Sequence, residues 1–124
     1  MTVHHADVGP TKEWSWPKDI RKSMAASYWQ YLRSVWKLPN FRHLDVILID
    51  RRFRVRCFLA SISKITQPTR ILFDDYTGRD AYHIAETFFS PLQIIGRMAV
   101  FDATPRRLSF CETVKYLKPG LYPV

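Results

Sequence analysis

A chain of 124 residues, 47% hydrophobic and 15% aromatic, is long enough for one packed core but not for two, and too apolar for a disordered tail. Its net charge of +8 favours contact with nucleic acid, acidic lipid or an anionic substrate. The arginines are nevertheless spread along the chain and form no single basic tail or zinc-finger frame. No apolar run reaches the length of a membrane span, and the opening MTVHHADVGP lacks the apolar middle of a signal peptide. These features predict a cytoplasmic protein with no membrane segment. Cys57 and Cys111 are isolated and without metal-like spacing, so they read as two buried thiols, with a disulfide as the other possibility.

Thr2–Val8 reads as a short strand broken by Gly9-Pro10, with a loop running through Trp14, Trp16 and Pro17. The adjacent His4 and His5 would point to opposite faces of that strand, which argues against a shared metal ion. Asp19 is placed to cap a helix from about Ile20 to Lys37. Met24, Tyr28, Tyr31 and Val35 form one stripe on it, and Ala25, Trp29, Leu32 and Trp36 a second. Such aromatic stripes read as core, and a base-stacking platform is the alternative.

The run LDVILID (Leu44–Asp50) is a strand ending on a carboxylate. A helix follows, from about Arg52 to Lys64, with Val55, Phe58, Leu59 and Ile62 predicted to face the sheet. Arg52 and Arg56 lie four apart on the neighbouring face, with Arg54 roughly opposite. TRILFDD (Thr69–Asp75) is a second apolar strand, ending on Asp74 and Asp75. Thr77-Gly78 makes a turn, and Asp80 opens a helix to about Phe88. PLQIIGRMAVFDATP reads as an antiparallel hairpin about Gly96-Arg97 on the sheet's edge. Ser109 is placed to cap a last helix through about Leu117, with Leu108, Cys111, Val114 and Leu117 on its inner face.

Near-continuous apolar strands alternating with helices predict an α/β fold. The sheet is mostly parallel with a C-terminal antiparallel hairpin, and helices cover both faces. The organisation is one domain, 1–124: strand plus loop over 1–18, core over 19–105, C-terminal helix and tail over 106–124. Ligands in such sheets sit beyond the carboxyl ends of the strands, where Asp50, Asp74 and Asp75 fall. Two or three such oxygen donors at one rim read as a Mg²⁺ or Mn²⁺ site. The other readings are an arginine lying between the carboxylates, and aspartates that merely cap the helices that follow. Arg51 and Arg52 at a positively charged helix start are mildly unfavourable unless they meet an anion, which could be Asp50, Asp74, Asp75 or a bound substrate, and a solvated arginine cluster is the other reading. His83, one turn into the next helix, could act as a base near the rim, against the reading of a half-buried surface histidine.

On these residues, "DVILIDRRFRVRCFLASIS", "ILFDDY" and "GRMAVF", the chain resembles the C-terminal half of a class I S-adenosylmethionine-dependent methyltransferase. More closely, it resembles an uncharacterised bacterial branch whose fourth strand runs into an Asp-Gly-Arg-Phe-Arg motif. DVGPTKEWSWP resembles that branch's segment after the third strand. The resemblance implies a truncated Rossmann-like sheet and methyl transfer to an oxygen or nitrogen of a small polar or anionic substrate. It implies that Asp50 lies near the transferred methyl group, and that Asp50, Asp74 and Asp75 hold a metal where one assists. It also implies that Arg52 and Arg54, with Tyr76 beside them, contact substrate, and that Asp7 lies near adenine.

The Gly-rich turn that holds the cofactor in that fold is absent, since Gly9 is the only glycine before Gly78. The chain therefore reads as incomplete, inactive alone or dependent on a complementing chain. The bared edge of LDVILID would be met by Thr2–Val8, by a second copy in a homodimer, or by a chain supplying the N-terminal half. The alternative function is a non-enzymatic basic module binding nucleic acid or another polyanion.

Overall fold

The computed structural model describes residues 11–12, 16–17, 32–39, 41–50 and 53–117. The expected strand Thr2–Val8, most of the helix from Ile20, and the residues Asp7, Arg51 and Arg52 lie outside them. Two short strands, β1 (Thr11–Lys12) and β2 (Trp16–Pro17), form a small antiparallel ribbon. The main sheet is built from β3 (Val46–Ile49), β4 (Thr69–Phe73), β5 (Gln93–Ile95) and β6 (Met98–Ala103), in the order β3-β4-β6-β5. Helix α1 (Arg54–Lys64) connects β3 to β4, a 3-10 helix spans Asp80–Thr87, and α2 (Phe110–Leu117) follows β6.

The β3–α1–β4 unit has the parallel pairing expected of it, with Ile47 opposite Ile71 and Ile49 opposite Phe73. The sheet as a whole is not mostly parallel. β6 inserts between β4 and β5 and runs antiparallel to both. A tight turn at Gly96-Arg97 makes this possible, with a left-handed φ of 61° at Gly96 and none at Arg97. That leaves positive φ at the first turn residue only, a conformation glycine adopts without steric cost. The hairpin occupies the sheet's edge as expected, with β6 beside β4 and β5 outermost.

The core lies on one face of the sheet. Ile49, Ile71, Phe73, Ala99 and Phe101 point to the side on which Val55, Phe58, Leu59 and Ile62 of α1 are buried. Phe58, Phe73 and Phe101 are fully buried and meet ring to ring, with 4.9 Å between the centroids of Phe58 and Phe101. Tyr76 and Tyr82 close the same cluster against Phe73 at 5.3 and 5.2 Å. The four residues of α1 expected to face the sheet do so. Leu32 is buried with Phe53 and Ala60 in a second, smaller cluster.

The last helix differs in its packing. Ser109 and Glu112 form a reciprocal capping box: the Ser109 hydroxyl accepts from the Glu112 N–H at 3.1 Å, and the Glu112 carboxylate accepts from the Ser109 N–H at 2.8 Å. The cap fixes where α2 begins, but Cys111 and Val114 are exposed rather than turned inward. The helix is fastened at its start, where Arg106 donates its backbone N–H to the Ile62 carbonyl and its guanidinium lies 4.4 Å from the Phe88 ring centroid. Both cysteines are free thiols, and only Cys57 is drawn inward. Among the described residues, no helix is long and apolar enough to cross a membrane.

Candidate functional site

The parallel pairing of β3 and β4 brings their carboxyl ends side by side, and with them Asp50, Asp74 and Asp75. Asp74 N–H donates to the Ile49 carbonyl at 3.0 Å, which carries the pairing to the rim. Asp75 then takes a left-handed φ of 57°, and Phe53, just before α1, one of 59°. Two non-glycine residues in this sparsely populated region thus flank the two strand ends. Such conformations persist only where surrounding contacts hold them. For Phe53 those contacts are Leu32 and Ala60.

Arg54, the first residue of α1, lies between the carboxylates. Its Nη1 donates to Asp75 Oδ2 at 3.1 Å and to the Asp74 carbonyl at 3.2 Å, and its Nη2 to Asp50 Oδ1 at 3.3 Å. The sequence pattern set Arg54 away from the sheet, yet its side chain is only 13% exposed. Helical side chains lean towards the helix N-terminus, and at the first position that direction leads to the strand rim. Its Nε is buried with no hydrogen-bond partner among the described residues. The guanidinium carbon sits 5.6 Å from the Tyr82 ring centroid.

Asp75 is also met by two arginines that the sequence reading did not place at the site. Arg79 Nη2 reaches Asp75 Oδ2 at 2.8 Å, and Arg97 Nη1 reaches Oδ1 at 3.4 Å. Arg97 arrives through the antiparallel register. Phe73 pairs with Ala99, so two residues further on Asp75 faces Arg97. The Arg97 carbonyl accepts from the N–H groups of Tyr76 at 2.6 Å and Thr77 at 3.3 Å. Knowing that β6 pairs with β4 would have revealed this contact. Desolvation raises the Asp75 carboxyl pKa, but the Arg54 hydrogen bond and the charges of Arg79, Arg54 and Arg97 together hold it below the usual range.

This arrangement corrects the metal expectation. Close carboxylates need positive charge between them, and here guanidinium groups supply it. Both oxygens of Asp75 are taken by arginine, and the Asp74 contact to Arg54 is made by its backbone carbonyl. Among the described residues, no group of three His, Cys, Asp or Glu side chains gathers to hold a metal ion. The donor set does not fit Mg²⁺ or Mn²⁺.

Tyr76 is buried, and its hydroxyl donates to Glu86 Oε1 at 2.7 Å. Burial, and then the Glu86 hydrogen bond and charge, push its pKa well up, so it stays a neutral donor. His83 stacks on the Tyr76 ring, 4.8 Å between centroids and 7° between planes, with Nδ1 3.9 Å from Glu86 Oε1. Its side chain is 46% exposed. The structure thus joins Asp50, Arg54, Asp74 and Asp75 directly, and brings His83 to the neighbouring Tyr76.

No family model and no curated protein matches the chain. Among solved structures, the chain is similar to a methyltransferase-like protein from Silicibacter pomeroyi DSS-3, with 38% sequence identity and a TM-score of 0.83. The match covers 92% of this chain and 58% of that one. The chain has a methyltransferase-like fold, and it spans somewhat more than half the length of that protein.

Proposed function

We propose that this chain carries the C-terminal half of a class I S-adenosylmethionine-dependent methyltransferase fold and takes part in methyl transfer with further strands set beside β3. The observation that carries the reading is the likeness to the Silicibacter pomeroyi methyltransferase-like protein, 38% identical over 92% of this chain but reaching only 58% of that one. Among the described residues β3 pairs only with β4. Its Val46 and Leu48 side chains are 51% and 59% exposed. An exposed apolar strand at a sheet edge favours strand addition.

The rim residues fit the cofactor in part. Asp50 contacts Arg54 through Oδ1, and among the described residues its Oδ2 is left to accept from a ligand. The other contacts to S-adenosylmethionine would come from a complementing segment, from a second copy or from another chain. The cofactor, when bound, supplies an electrophilic methyl group. For an oxygen or nitrogen acceptor the chain must then hold the substrate and take its proton. Asp50 and His83, each about half exposed, are the rim's candidates for that proton.

The test is a thermal melt of the chain with millimolar S-adenosylmethionine. It is run alone and then mixed with the segment of the Silicibacter pomeroyi protein that this chain does not match. Ligand that binds only the folded state raises the midpoint. A rise in the mixture and none alone is expected. A rise with the chain alone would refute the need for complementation, and no rise in either would refute the methyltransferase reading.

A further inference from the structure

We infer that Arg79 and Arg97, braced on Asp75, form an oxyanion site that recognises the carboxylate or phosphate group of a small ligand. Three guanidinium groups from three separate segments converge on Asp75: Arg54 from α1, Arg79 from the loop before the 3-10 helix, and Arg97 from the β5–β6 turn. Asp75 balances one of these charges, and Asp50, through Arg54, a second. Arg79 and Arg97 are left to share the single carboxylate of Asp75. Asp74 joins the cluster through its backbone carbonyl, and its side chain forms no ion pair among the described residues.

The two arginines that share Asp75 are also the accessible part. Arg54 is 13% exposed and Asp75 18%, whereas Arg79 is 54% and Arg97 76% exposed. Arg54 is consumed internally by its contacts to Asp50, Asp74 and Asp75. Arg79 and Arg97 each place one Nη on Asp75 and keep N–H donors turned to water. A guanidinium offers a planar fork of donors, the geometry that binds carboxylate and phosphate oxygens in pairs.

Both arginines are held before any ligand arrives. Arg97 is fixed at its backbone by the Tyr76 and Thr77 N–H groups, and the Arg79 guanidinium lies 5.7 Å from the Tyr82 ring centroid. Prior ordering of long side chains lowers the cost of binding. The pair stands at the carboxyl ends of β3 and β4, where α/β sheets bind ligands.

The test is titration of the full ¹⁵N-labelled chain with inorganic phosphate and, separately, with acetate, at constant ionic strength against chloride. The arginine Nε–H signals are followed. The expected result is saturable shifts at Arg79 and Arg97, with Arg79→Gln and Arg97→Gln each weakening binding about tenfold and an unchanged far-UV spectrum. Tighter phosphate binding assigns a phosphate ligand, and equal or tighter acetate binding a carboxylate. Should either Gln variant fail to fold, the paired Arg79→Lys and Arg97→Lys variant keeps the charge and removes the fork, and is expected to bind more weakly. Shifts that grow linearly, follow chloride or spread to the exposed Arg70 and Arg107 would overturn the inference, as would a lysine pair that binds like the wild type. No S-adenosylmethionine is present, so the outcome is independent of the methyl-transfer reading.

Discussion

Replacing Arg54 with leucine tests whether this residue is an internal bridge or a surface group waiting for substrate. The contact to Asp75, at a carboxylate only 18% exposed, contributes ~1.5 kcal/mol as a charge-assisted bond, and the one to the Asp74 carbonyl ~1 kcal/mol. The contact to Asp50, 54% exposed, adds no more than ~0.5 kcal/mol. Against this total of about 3 kcal/mol, leucine removes a positive charge from the first turn of α1, recovering ~0.5 kcal/mol. It also removes the unpartnered buried Nε, recovering about as much again. The net expectation is a loss of about 2 kcal/mol. Urea unfolding followed by far-UV circular dichroism is the assay, with the midpoint falling by about 1–2 M at unchanged slope. A double-mutant cycle with Asp75→Asn should return a coupling of ~1 kcal/mol. A loss below ~0.5 kcal/mol with no coupling would refute the bridge and return Arg54 to the role of a ligand contact.

The depressed pKa of Asp75 means that its charged form stabilises the fold above the ordinary carboxylate value. That contribution is lost as pH falls through the lower folded value. Stability of the wild type should therefore fall more steeply than that of Asp75→Asn between about pH 5 and pH 3, measured by urea midpoints. Burial pushes the Cys57 thiol up to about 12. In the folded chain a disulfide reagent at pH about 8 should modify the exposed Cys111 and spare Cys57 until urea is added. Phe101 is fully buried among Phe58, Phe73 and Tyr76. Phe101→Ala is expected to cost ~3–5 kcal/mol, read as a lowered urea midpoint. Gly96→Ala meets open space but keeps φ at 61°, and should cost ~1 kcal/mol by the same measurement.

Legibility in the sequence followed the range of the interactions. The β3–α1–β4 unit could be read because local periodicity carries it. Val55, Phe58, Leu59 and Ile62 repeat at helical spacing, and both strands are short apolar runs ending in aspartate. The co-location of Asp50, Asp74 and Asp75 follows from parallel pairing alone. What filled the space between them did not. Arg79 and Arg97 reach Asp75 through a turn and a long-range antiparallel register, and no local pattern encodes that Phe73 pairs with Ala99. The direction of Arg54 was misread because a helical wheel ignores the axial lean of side chains, which matters most at the first turn. Of the stripe expected on the last helix, Leu108 packs against the core while Cys111 and Val114 are exposed, because amphipathic spacing states which residues share a face, not that another element covers it.

The two parallel strands, β3 and β4, differ on their outer faces. β4 alternates, with Thr69, Ile71 and Phe73 buried and Arg70 exposed. On that outer face Arg70 pairs with Asp102 of β6 at 2.9 Å. A polar cross-strand pair of this kind suits a face in contact with water. β3 does not alternate, because Val46 and Leu48 share the outer face and are as apolar as Ile47 and Ile49 on the inner one. Runs apolar on both faces are what two-sided burial selects. The outer face is therefore polar at the amino end of β4 and the carboxyl end of β6 and apolar along β3, with the half-buried Leu72 and the buried Val100 continuing the apolar band from Leu48. A complementing element of the kind proposed would lie over β3 and the carboxyl end of β4. Asp50, Arg54 and Asp75 gather at the carboxyl ends of the same two strands, with Arg54 reaching them from α1 on the opposite face, so an element over the apolar band would end beside the arginine-lined rim.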